Sequence, residues 1–170
     1  TIIVSKIVND IKKNGIKAVK KYEKKYVNNS EIKLSQKKVN KIIKTLDPKV
    51  KNAIDFAYNR ISKFHSKQLD NTKNIIYKDK YKNKIEYKTV PIQTVGIYVP
   101  GNLPSSCLMN SIPAKLAKVR RIILSTPKID GKLNAGVLYA AKKVGIKEII
   151  SCGGAEAIAC LAFIYKCNKI

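Results

Sequence analysis

Three stretches decide the fold: Val95-Gly96-Ile97-Tyr98-Val99-Pro100-Gly101, Arg121-Ile122-Ile123-Leu124-Ser125-Thr126-Pro127 and Glu148-Ile149-Ile150-Ser151-Cys152-Gly153-Gly154. Each is a short apolar run rich in Val and Ile and closed by Pro or Gly, the pattern of a buried strand ended by a turn. Between them lie two stretches with helical spacing, from about Ser106 to Lys118 and from about Leu133 to Val144, the second stopped by Gly145. An Ala-rich helix follows Gly154. Strand and helix in strict alternation predict an α/β fold, a Rossmann-like parallel sheet with right-handed crossovers.

Outward from this block, the first 70 residues read as helices. Ile3, Ile7 and Ile11 recur every four positions, and Asn14-Gly15 marks a stop before the pattern resumes at Ile16, Val19, Tyr22 and Tyr26. Ser35 is a good N-cap for a helix that turns Val39, Ile42, Ile43 and Leu46 inward. Asp47-Pro48 sets a cap and a first-turn proline for the next, which is expected to bury Val50, Ile54, Ala57, Ile61 and Phe64. Ile75-Ile76-Tyr77 and Ile85-Glu86-Tyr87-Lys88-Thr89-Val90, parted by polar residues, signal a short β-hairpin. The division expected is a helical N-terminal arm over 1–70, a β-hairpin connector over 71–94 and a partial Rossmann-like domain over 95–170.

Net charge is +24, but 32 of the 35 basic residues are Lys. Lys, Ile and Asn together make 71 of the 170 residues, the signature of a genome drifting toward A and T. Nucleic-acid readers favour Arg forks, stacking aromatics and clustered charge, and here the charge is smeared along the chain. No specific nucleic-acid partner is therefore expected, only salt-sensitive adhesion to polyanions. No apolar run reaches about 18 residues, so no membrane span is expected. The chain starts at Thr1 without a signal-like segment. Cys107, Cys152, Cys160 and Cys167 form no CxxC pair, and the sole histidine is His65. They read as structural thiols of a cytoplasmic protein.

In an open parallel sheet, ligands sit beyond the carboxyl ends of the strands. Tyr98–Gly101, Ser125–Pro127 and Ser151–Glu156 all fall there, and the helix after each could offer free N–H groups to a phosphate. No GxGxxG is present, so the residues alone indicate a nucleotide cleft without specifying one, and tight turns would use the same glycines.

Three blocks carry a resemblance: VGIYVPG at 95–101, PSSCLMNSIPAKLA at 104–117 and GGAEAIACLAF at 153–163. They are similar, in the same order, to the nucleotide-domain blocks of histidinol dehydrogenase, and Phe64-His65-Ser66-Lys67-Gln68 resembles that family's FHxxQ signature. The resemblance implies a homodimeric, zinc- and NAD-dependent enzyme of histidine biosynthesis that oxidises L-histidinol to L-histidine. It places the family's NAD-binding Tyr at Tyr98 and its NAD-binding Gln at Glu156. An anion in place of the amide there is expected to weaken cofactor binding unless a Lys neutralises it. Asn102 stands where the family has a second Gly, and Ile164-Tyr165 replace its Gly-Thr. The family's zinc ligands and catalytic Glu-His pair would lie beyond Ile170, so no catalytic or metal-binding residue is assigned here and the chain alone is expected to be inactive. His65 is expected to be a packed, hydrogen-bonded residue rather than a base. Two other readings remain: a non-catalytic remnant of an NAD-type domain, and a basic nucleic-acid-binding module.

Overall fold

The structure, a computed structural model, describes residues 2–69 and 74–170. Helices α1 (Ile2–Asn14) and α2 (Ile16–Val27) meet at Gly15, and α3 (Gln36–Ile43) and α4 (Pro48–Gln68) complete the N-terminal part. Ser35 Oγ accepts from Lys38 N–H at 3.3 Å. Asp47 accepts from Lys49 N–H at 2.6 Å, with Pro48 opening α4 where its missing N–H costs nothing. Both starts are as the sequence predicts. The expected boundary between arm and connector, at 70 and 71, lies outside the described residues.

The hairpin forms from β1 (Ile75–Lys78) and β2 (Lys84–Tyr87), antiparallel with Ile75 opposite Tyr87 and Tyr77 opposite Ile85. Asp79 holds its turn, accepting from Tyr81 N–H and Asn83 N–H. The second strand stops at Tyr87, short of the expected Val90.

Strands β3 (Thr94–Tyr98), β4 (Arg121–Ser125) and β5 (Glu148–Ile150) make a parallel sheet in the order β3-β4-β5. Helices α5 (Pro104–Leu116), α6 (Ala135–Val144) and α7 (Gly154–Ala159) follow them in turn, α7 running on into a π-helical turn over Cys160–Ile164. Helix α5 starts two residues earlier than expected because Pro104 suits the first turn. Helix α6 starts two later because Asn134 caps it, accepting from Val137 N–H at 3.1 Å.

Two extensions of the sheet have no counterpart in the sequence reading. Residues 32–34 line the β5 edge in antiparallel sense, Ser151 N–H donating to Ile32 O at 2.7 Å and Leu34 N–H to Ile149 O at 3.0 Å. On the other side, Gly96 N–H donates to Lys169 O and Asn168 N–H to Thr94 O, so residues 168–169 run parallel to β3. The chain thus winds outward from β3 to β5 and then returns to the far side of β3. With crossovers of constant hand, that reversal moves the connecting helix to the other face of the sheet.

Side chains alternate between the faces accordingly. Ile97, Leu124 and Ile149 pack with α3, α4, α5 and α6 in one core, and Ile123 and Ile150 pack with α1, α2 and α7 in the other. Gly96 lies beneath the π-helical turn, where an added Cβ would sit 3.1 Å from both Leu161 and the Cys167 sulfur.

Several side chains expected inside are outside. Val50 and Phe64 remain 44% and 65% exposed, while Ile54 between them is buried. At 21 residues α4 is roughly 30 Å long, whereas a five-residue strand spans roughly 17 Å, so its ends overhang the sheet. Ile7 and Ile11 are buried against α7 as the stripe requires, but Ile3 is bare.

Candidate functional site

Residue β3 ends on, Tyr98, stands where the winding of the sheet reverses, with β4 on one side and residues 168–169 on the other. A crevice at such a switch point is where open parallel sheets hold their ligands. A cavity of about 300 Å³ lies there, lined by Tyr22, Glu23, Tyr26, Val27, Tyr98, Pro127, Gly153, Gly154 and Glu156. Each of the three turn segments singled out in the sequence contributes to it. Tyr98 and Glu156, 58 positions apart, face the same space.

The wall built by α2 escaped the sequence reading. Tyr22 and Tyr26 stack there, with ring centroids 6.1 Å apart and planes 10° from parallel. Glu23 is only 4% exposed. Its Oε1 accepts from Gly153 N–H at 3.0 Å and its Oε2 from Asn29 Nδ2 at 3.2 Å. Asn29 also donates to Ser151 O at 2.8 Å and accepts from Lys128 Nζ at 2.8 Å. The one available signal was Glu23 itself, a carboxylate four residues after Val19 on the apolar stripe of a lysine-rich helix. A charge at a core-facing position needs partners, and such partners fasten elements together.

This network alters the electrostatics expected of the site. The first N–H at the start of α7 is already taken by Glu23, so it is not free for a phosphate. Gly154 turns the chain at φ +56, a conformation that glycine adopts without strain, and a Cβ there would meet Glu156 Oε2 at 2.9 Å. Glu156 is 8% exposed, and no described residue gives its carboxylate a hydrogen bond or an ion pair. Among the described residues no lysine forms an ion pair with it. Burial, with the Glu23 charge beside it, pushes the Cys152 thiol far above its ordinary range.

His65 lies away from the cavity, on α4. Its Nδ1 pairs with Gln68 Oε1 at 2.6 Å and its ring meets Phe64 edge-on, so it is hydrogen-bonded as expected but only partly buried. All four cysteines are free. Among the described residues no three His, Cys, Asp or Glu side chains converge to hold a metal ion, and no helix is long and apolar enough to cross a membrane.

Comparison with known proteins places the chain in a family. The family model described as histidinol dehydrogenase matches residues 1–170. The histidinol dehydrogenase of Pelagibacter ubique is 54% identical across all of this chain, which covers 41% of that protein. That of Idiomarina loihiensis is 37% identical over 94% of the chain and 37% of its own length. The crystal structure of histidinol dehydrogenase from Elizabethkingia anophelis superposes with a TM-score of 0.85 at 34% identity, covering 95% of this chain and 38% of that one. The chain therefore spans about two fifths of the length of the relatives it matches. Its sequence along the whole length and its fold around Tyr98 lead to one assignment: the chain belongs to the histidinol dehydrogenase family.

Proposed function

We propose that this chain supplies the dinucleotide-binding side of an NAD-dependent histidinol dehydrogenase, an enzyme that oxidises L-histidinol to L-histidine with two NAD and a zinc ion. The observation that supports this reading is the meeting of Tyr98 and Glu156 in one cavity at the switch point of the sheet. NAD, when bound, supplies the hydride acceptor. The chain's own residues would hold and orient it: the Tyr98 hydroxyl and the Glu156 carboxylate as polar contacts, the stacked Tyr22 and Tyr26 as a flat apolar wall, and Pro127 and Gly153 as close-packed floor.

The described residues do not fit zinc, since no three potential ligands converge, so the metal and the proton transfers are assigned to no residue here. Titration of NAD into the chain and into Tyr98→Ala tests the cofactor reading. Binding that weakens about tenfold or more in the variant is the expected result, and equal affinity would remove Tyr98 from the site.

A homodimer is also proposed. Ile75, Tyr77, Ile85 and Tyr87 share one face of the hairpin, and every one of them is more than half exposed. A two-stranded ribbon with a bare apolar face is marginal alone in water and gains stability when it is covered.

A further inference from the structure

We propose that the cavity at the amino ends of β4 and β5 binds a phosphoryl anion, either free phosphate or the phosphate group of a small molecule.

Three segments meet there around about 290 Å³: Lys115 in the last turn of α5, Arg120 and Arg121 where β4 starts, and Gly145, Lys147 and Glu148 between α6 and β5. The cavity lies at the opposite end of the sheet from Tyr98, roughly 17 Å away along a five-residue strand. Cofactors of open parallel sheets sit at the carboxyl ends, so this hollow has no part in the cofactor reading.

Glu148 is the one acid in the lining, and it is already taken. Arg121 Nε and Nη2 donate to its two oxygens at 2.6 and 2.8 Å, and the same guanidinium lies over the Tyr165 ring. Lys115, Arg120 and Lys147 form no ion pair among the described residues. Lys115 reaches across from α5 to the end of α6, where its Nζ is 3.7 Å from the place a Cβ on Gly145 would take. Three like charges are thus drawn around one hollow. The carboxyl ends of α5 and α6 bring only about half a negative charge each, so the hollow stays positive and an anion relieves the repulsion.

Composition singles out Arg120. Lysine makes up 32 of the 35 basic residues, yet two of the three arginines stand side by side here. Arg60 lies over Phe56 and Arg121 is spent on Glu148, which leaves Arg120 as the arginine without a partner. A guanidinium presents paired donors in one plane, which fit two oxygens of a phosphate in a way that an ammonium does not.

Calorimetric titration of inorganic phosphate, glycerol 3-phosphate and acetate into the 170-residue chain tests this. Phosphate should bind saturably at one site, at least tenfold more tightly than acetate. A tighter glycerol 3-phosphate would identify a phosphorylated small molecule as the occupant, and a tighter inorganic phosphate the free anion. Arg120→Gln should weaken phosphate at least tenfold, and Arg120→Lys, which keeps the charge and loses the fork, at least threefold. Lys67→Gln removes one charge from exposed α4 and should change affinity less than twofold. All three substitutions are at exposed positions, and circular dichroism should show the fold unchanged. An equal loss in Lys67→Gln and Arg120→Gln would mean diffuse attraction to a basic chain and would overturn the proposal. So would acetate binding as tightly as phosphate, or no saturable binding at all.

Discussion

Both oxygens of the Glu23 carboxylate are committed to holding the 151–154 turn against α2, which makes this residue a fastening point as well as part of a wall. Glu23→Ala would strand the Gly153 N–H and the Asn29 amide in a dry place, and should cost about 2 kcal/mol or more. Glu23→Gln keeps one acceptor and should cost less, and thermal unfolding of the two variants compares them directly. Asp10 clamps α1 to α2 in a similar way, accepting from Asn14, Tyr22 and Lys21, and these contacts lower its pKa to about 2. Asp55, which accepts from Lys143, Tyr139 and Lys51 between α4 and α6, is held far below the usual carboxylate range. For a depressed pKa the sign is fixed. The contribution is complete above the unfolded value of 3.8 and disappears as pH falls toward the folded value. Stability should therefore drop steeply from about pH 4 to about pH 2. Asp10→Asn should flatten that drop in acid titrations followed by circular dichroism, and an unchanged acid limb would remove Asp10 from the account.

At the scale of elements, hydrophobic period and caps carried most of the information. Ser35, Asp47 and Gly145 act as predicted because capping is chemistry between residues at most four apart, legible without any tertiary contact. What the pattern could not show was the extent of burial. Whether Phe64 meets a neighbour depends on where α4 runs out of sheet, and its spacing from Ile61 is silent on that. Gly96 is an instance of the same limit, since in sequence it is only a glycine inside a strand. In the fold it admits the π-helical turn, and Gly96→Ala should force Leu161 aside at a cost of about 1–3 kcal/mol. Denaturant unfolding of that variant measures it, and a change within about 0.5 kcal/mol, the range of ordinary surface substitutions, would mean the turn yields freely.

For the whole molecule, the bare hairpin face sets the expectation for solution behaviour. Sedimentation of the 170-residue chain should show self-association that rises with concentration, and Tyr77→Lys with Ile85→Lys should suppress it. A clean monomer at high concentration would count against the proposed dimer. The same chain should show no zinc- and NAD-dependent turnover of histidinol, because a positioned acid or base commonly contributes about 10²–10⁴-fold and no described residue is placed for that role. Formation of NADH by the pure chain would refute this.

The strand–helix alternation, the turns and the family blocks around Tyr98 and Glu156 were determined by the sequence alone, because each depends on neighbours within a few positions. Tertiary structure alone decided that residues 168–169 return beside β3, that α7 lies on the opposite face from α5 and α6, and that Tyr22, Glu23 and Tyr26 wall the cavity. Those outcomes are contacts between segments more than 70 positions apart, such as Glu23 with Gly153 or Thr94 with Asn168. A local pattern cannot encode them, since the partner that makes a buried charge tolerable is supplied by the other end of the chain.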